Sequence, residues 1–105
     1  MTEENRRLWG GSVSRAYYAM FHLARALLYS LELESMTHTG MVGQLSLHLV
    51  RAGRFPAAQV RAFSQMQRMR EDADYQAAVV FDEAGAREAL NHMEAFRQAT
   101  EACLG

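Results

Sequence analysis

The chain has 105 residues, half of them hydrophobic and 22% charged, with a formal net charge of −1. That length supports one core and one domain over residues 1–105, and no apolar run approaches the roughly 20 residues that span a bilayer. The near-zero charge argues against a strongly basic, autonomous nucleic-acid binder, and a single cysteine, Cys103, excludes an intrachain disulfide and a cysteine zinc cluster.

The N-terminal stretch MTEENRRLWGG mixes charges and lacks an apolar signal core, so the cytoplasm is the expected location. Charge is unevenly spread: residues 51–70 hold five Arg and no acid, whereas residues 71–105 hold two Arg and eight acids. All eleven cationic residues are Arg, which suits planar recognition of phosphate or carboxylate.

In chain order, residues 3–9 offer a short first helix that Gly10-Gly11 would end, with Trp9 packing back on the bundle. Ser12 or Ser14 would then cap a long second helix reaching about Leu33. At about 100° per residue, its Val13, Ala16, Tyr17, Met20, Ala24, Leu27, Leu28 and Leu31 fall in one core-facing stripe. On roughly the opposite side lie Arg15, Tyr18, His22, Arg25 and Tyr29, a second stripe of cations, an imidazole and phenols.

The turn THTG follows, where Thr37 or Thr39 would cap a third helix over residues 40–52, with Val42, Leu45 and Leu49 inward and Gly53 as its stop. Pro56 suits the first turn of a fourth helix over residues 56–78. Its expected apolar stripe is Ala58, Ala62, Met66, Met69, Ala73 and Ala77, with Arg61, Arg68 and Asp72 outward and Arg70 and Asp74 at the margin. After a short VVFD break, Asp82 would cap a fifth helix over residues 83–104, with Ala86, Ala89, Leu90, Met93, Phe96, Thr100 and Cys103 inward. No strand pattern of useful length occurs. The expected fold is all-α, an antiparallel up-and-down bundle of four main helices plus a short N-terminal helix.

Two groups of side chains could carry function. Arg70, Asp74 and Tyr75 read either as an intrahelical pair with a packed Tyr or as a phosphate or nucleotide cradle. Arg15 and Tyr18 read either as a solvated or dimer-contact face or as neighbours of Arg70 in a polar pocket. His38 is expected to fix the THTG turn by a side-chain to backbone hydrogen bond. No two histidines sit at ligand spacing with a supporting carboxylate, and no glycine-rich phosphate loop or G-x-S-x-G is present, so neither metal nor cofactor is expected.

Three stretches taken together carry a resemblance: SRAYYAMFHLARALL at 14–28, THTG at 37–40 and MREDADY at 69–75. In this order and spacing, over about residues 12–100, the chain resembles the HEPN family, closest to its stand-alone prokaryotic subgroup. The resemblance implies an antiparallel helical bundle, a homodimer, and pairing with a minimal nucleotidyltransferase in a toxin–antitoxin system. It also implies metal-independent RNA cleavage in active members, through an Arg followed after four to six residues by a His. Here Arg70 is present but Tyr75 stands where the first possible His would fall. A 2′-hydroxyl attack on the adjacent phosphate needs a group that moves protons near neutral pH, which His does at its ordinary pKa and Tyr does not.

The resemblance therefore implies a module that binds RNA or nucleotide through Arg15, Tyr18, Arg70, Asp74 and Tyr75, with weak or no nuclease activity. Arg70 and Tyr75 are the candidates for any catalytic role, and Tyr75 could accept a nucleotidyl group from the partner. An active endoribonuclease toxin and a non-catalytic scaffold subunit are the alternatives. The family usually has a fuller first helix than residues 1–11 offer, which would leave part of the long helix for a partner to cover.

Overall fold

A computed structural model describes the backbone of residues 3–75 and 82–105, with the side chains of 11–73 and 82–105. Four helices follow in order: α1 (Glu3–Ser30), α2 (His38–Leu45), α3 (Ala57–Tyr75) and α4 (Glu83–Leu104), with a π-type turn, Ser46–Val50, continuing α2. Among the described residues there is no strand, and no helix is long and apolar enough to cross a membrane.

The expected short N-terminal helix is not separate. Gly10-Gly11, Ser12 and Ser14 all lie inside α1, which runs unbroken for 28 residues. Two glycines in a helix interior cost about 1 kcal/mol each relative to Ala, a sum that packing elsewhere along a helix this long can offset. Gly11 also makes room for a neighbour, since a Cβ there would stand 3.2 Å from the Arg15 guanidinium.

The actual end of α1 carries no glycine. Leu33 N–H bonds Leu28 C=O at 3.0 Å and Glu32 N–H bonds Tyr29 C=O at 2.9 Å, with Glu32 at φ 62°. This is a Schellman cap, whose left-handed position usually holds Gly. Leu33 is partly buried against the core cluster that includes Leu28, in keeping with the apolar contact that commonly accompanies such a cap.

Thr37 caps α2 as expected, its Oγ1 accepting from Gly40 N–H at 3.0 Å. Gly53, at φ 72°, closes the segment that follows. Asp82 caps α4, its Oδ1 accepting from Gly85 N–H at 2.9 Å.

α1 packs along α4 and α3. Its apolar stripe is buried as expected from Val13 to Leu28, with Leu31 only half-buried. The inward face of α3 differs from expectation: Val60, Ala62, Phe63 and Met66 are buried, Met69 and Ala73 are partly buried, and Ala58 is exposed. Ala77 lies outside the described residues. Large side chains, rather than the alanine row, decided which arc faces inward, because burial favours them by area. On α4 the inward positions are Ala86, Ala89, Phe96 and Thr100, whereas Leu90 is 48% exposed. The buried Thr100 hydroxyl is satisfied by donating to Phe96 C=O at 2.9 Å.

Exchanging these two glycine environments gives a test. Gly11→Ala should raise stability by up to about 1 kcal/mol, because only the flexible end of Arg15 must move. Glu32→Gly should raise it by about 1 kcal/mol by removing left-handed strain. Urea unfolding midpoints measure both, and the two gains should add because the sites are separate.

Candidate functional site

Phe63 of α3 sits at the centre of an aromatic cluster. Its ring centroid lies 5.6 Å from Tyr17 of α1, 4.3 Å from His38 of α2 and 5.5 Å from Phe96 of α4. The core spacing of α1 sends Tyr17 inward to 3% exposure, so its hydroxyl must find a partner. That partner is His38 Nδ1 at 2.9 Å, and the other nitrogen, Nε2, lies 3.4 Å from Ser64 Oγ. His38 therefore does not tie its own turn, as expected from THTG. Thr37 caps that turn, while the His38 ring links α1 to α3.

Burial pushes the Tyr17 phenol up to about 12, with the Arg70 guanidinium opposing the shift. Burial also holds the His38 ring below its ordinary value, against an upward pull from Glu71 and with a further downward push from Arg70. A neutral imidazole with its proton on Nε2 satisfies both contacts: the Tyr17 hydroxyl donates to Nδ1 and Nε2–H points to Ser64.

Arg70 reaches the same corner from α3. Its guanidinium carbon stands 5.3 Å from the Tyr17 ring centroid and 5.6 Å from that of Tyr18, two cation–π contacts on one cation. Glu71 lies 3.8 Å from Arg70, and the Arg70 side chain is 14% exposed. Tyr18 is 46% exposed, so its ring carries the cluster out to solvent. The corner thus combines a held cation, an exposed aromatic face and two groups, Tyr17 and His38, whose neutral forms burial favours.

Of the residues singled out in the sequence, the structure brings Tyr18 and Arg70 together. Arg15 is elsewhere. Its Nη2 donates to Ser12 Oγ at 3.3 Å, and it lines a groove between α1 and α4 with Ala19, Leu90 and Met93. The side chains of Asp74 and Tyr75 lie outside the described residues, although the backbone of both completes α3. Tyr17, Phe63 and Ser64 were not among the expected site residues. The signal for Tyr17 was its hydroxyl on a core stripe, a polar group that requires a buried partner. Among the described residues, no group of three or more His, Cys, Asp or Glu could hold a metal ion.

A model of the HEPN domain matches residues 3–103. A UPF0332 protein of Gloeobacter violaceus is 44% identical over 68 residues, 65% of this chain and 54% of that protein. A Methanocaldococcus jannaschii protein named "Putative toxin" is 35% identical over 69 residues, 66% of this chain and 52% of that protein. A UPF0332 protein of Thermotoga maritima is 29% identical over 98 residues, 93% of this chain and 74% of that protein. The matched region thus spans about half the length of the first two. No solved structure matches.

The His38 bridge has a pH signature. Folding favours neutral His38, so the unfolded chain takes up its proton first as pH falls, and the bridge's contribution is lost below about pH 6.5. The melting temperature should therefore fall on acidification through this window, and His38→Gln should flatten that fall. Thermal melts of both proteins across the window measure the difference in slope. An unchanged slope would remove His38 from the account.

Proposed function

This chain belongs to the HEPN family, and on that footing we propose that it is the binding module of a toxin–antitoxin-type pair. In this reading it forms a homodimer, works beside a minimal nucleotidyltransferase, and binds RNA or nucleotide while cutting RNA weakly or not at all. The observation that carries it is Arg70, whose guanidinium lies against the rings of both Tyr17 and Tyr18 at the margin of α1 and α3. The exposed edge of that corner offers a phosphate a cation and a base an aromatic face.

The relatives' names support the toxin context, since two of them, both from Methanocaldococcus jannaschii, carry the name "Putative toxin". The chemistry of the corner supports the weak-cleavage reading. Attack by a 2′-hydroxyl needs a base near neutral pH, and Tyr17, pushed up to about 12, keeps its proton there. The imidazole of the corner, His38, already has both nitrogens engaged, by Tyr17 and Ser64. The Arg is followed by Tyr75 rather than His at the first signature spacing. Tyr75 is the proposed acceptor of a nucleotidyl group: its phenolic oxygen would attack the α-phosphorus of a nucleoside triphosphate and release pyrophosphate.

The test is titration of the purified protein with fluorescently labelled RNA, alongside a metal-free cleavage assay on the same RNA. Wild type should bind without appreciable cleavage. Arg70→Gln and Tyr18→Ala should each weaken binding by about 5-fold or more, the scale of one charge-assisted or stacking contact. Robust cleavage that Arg70→Gln abolishes would replace this reading with an active nuclease, and no binding of RNA or ATP would leave a scaffold. Incubation with the partner enzyme and ATP, followed by peptide mass spectrometry, should find the nucleotidyl group on Tyr75.

A further inference from the structure

Beyond Tyr18, the outward face of α1 continues through His22, Arg25 and Tyr29, at steps of four, three and four residues. At about 100° and 1.5 Å per residue these four fall within an arc of about 60° and extend over about 16 Å. All are exposed, Tyr29 to 70%. The side chains of His22, Arg25 and Tyr29 make no hydrogen bond or ion pair among the described residues, and the ring contact of His22 is an edge-on approach to Phe21 at 6.0 Å. No acidic residue occurs between Val13 and Leu31. Every member of the row presents a flat π-system, and the row starts at the ring already under Arg70.

We propose that Tyr18, His22, Arg25 and Tyr29 form a stacking track along which single-stranded RNA runs away from Arg70. This rests on the RNA-binding reading above and adds a length, a direction and three residues to it. Stacking tolerates any base because every base has a π-face, while Arg25 and Arg70 supply the charge that follows the backbone. The track ends at Tyr29, where Glu32 and Glu34 line the surface beside it and repel a further phosphate. Its length fits about four bases, one for each flat side chain.

A second copy of the chain is the competing occupant, and charge disfavours it. A two-fold contact centred on this row would gather both copies of Arg25 and His22 into one patch, Arg25 facing the partner's His22, with no acid in the row to neutralise them. A polyanion meets no such conflict.

The experiment measures anisotropy of labelled oligouridines with the full chain, using Tyr29→Ala, Tyr29→Phe, His22→Ala and Arg25→Gln. All three positions are exposed, so folding should survive, as circular dichroism will check. Affinity for wild type should rise with length to about four nucleotides and then level off. Tyr29→Ala should lose about 5-fold or more, Tyr29→Phe should retain binding, and Arg25→Gln should reduce the slope of log affinity against log salt by about 0.7. If Tyr18→Ala and Arg70→Gln weaken binding but the Tyr29, His22 and Arg25 variants match wild type, the track is overturned and the Arg70 site stands. If Tyr29→Ala instead shifts the monomer–dimer balance by sedimentation and leaves RNA affinity unchanged, a second copy occupies the face and the track is likewise overturned. A wild type that binds no oligouridine overturns the track together with the RNA reading.

Discussion

The bundle depends on one ring. Phe63, fully buried on α3, touches an aromatic side chain from each of the other three helices: Tyr17, His38 and Phe96. Burying a Phe contributes about 2–3 kcal/mol by area, and its pairings with other rings add to that. The ring also does something that area alone would not. It presses Tyr17 and His38 into a setting where their polar atoms must satisfy each other, which sets the geometry of the corner that Arg70 and Tyr18 then complete.

This explains how a hydrophobic core and a polar site share one wall. Tyr17 faces the core with one side of its ring and Arg70 with its π-system. Desolvation keeps its proton in place, and that proton orients His38. The resulting corner sets a cation and two flat rings beside two groups, Tyr17 and His38, whose neutral forms burial favours.

Much of the architecture was legible in the sequence. The period of Val13 to Leu28, the Thr37 and Asp82 caps and the Gly53 stop are all local signals, and each holds in the structure. Glycine misled twice. The pair at 10–11 sits mid-helix where a stop was expected, and the true end at Glu32 has the left-handed geometry without the residue that announces it. On α3 the evenly spaced alanines and methionines hid Val60 and Phe63, because periodicity counts apolar positions without weighing their size. For the site, Tyr18 and Arg70 were legible as chemistry, whereas the His38 bridge was not. Its two partners are 21 and 26 residues away, and no local pattern encodes a contact at that range.

The pairing of charges on α4 has a consequence at longer range. Arg87 is held by Glu83, Arg97 by both Glu94 and Glu101, and His92 lies beside Glu88. These acids are engaged within their own helix, so they are not spent on neutralising Arg51, Arg54, Arg61 and Arg68, which are all exposed and make no ion pair among the described residues. A molecule of net charge −1 is therefore electrically lopsided, and lopsidedness acts before contact. An approaching polyanion experiences a torque as well as a force, drawn toward the arginines of α3 and of the turn before it, over distances set by the Debye length of about 10 Å at 0.1 M salt. The near-cancellation of total charge conceals this orienting field.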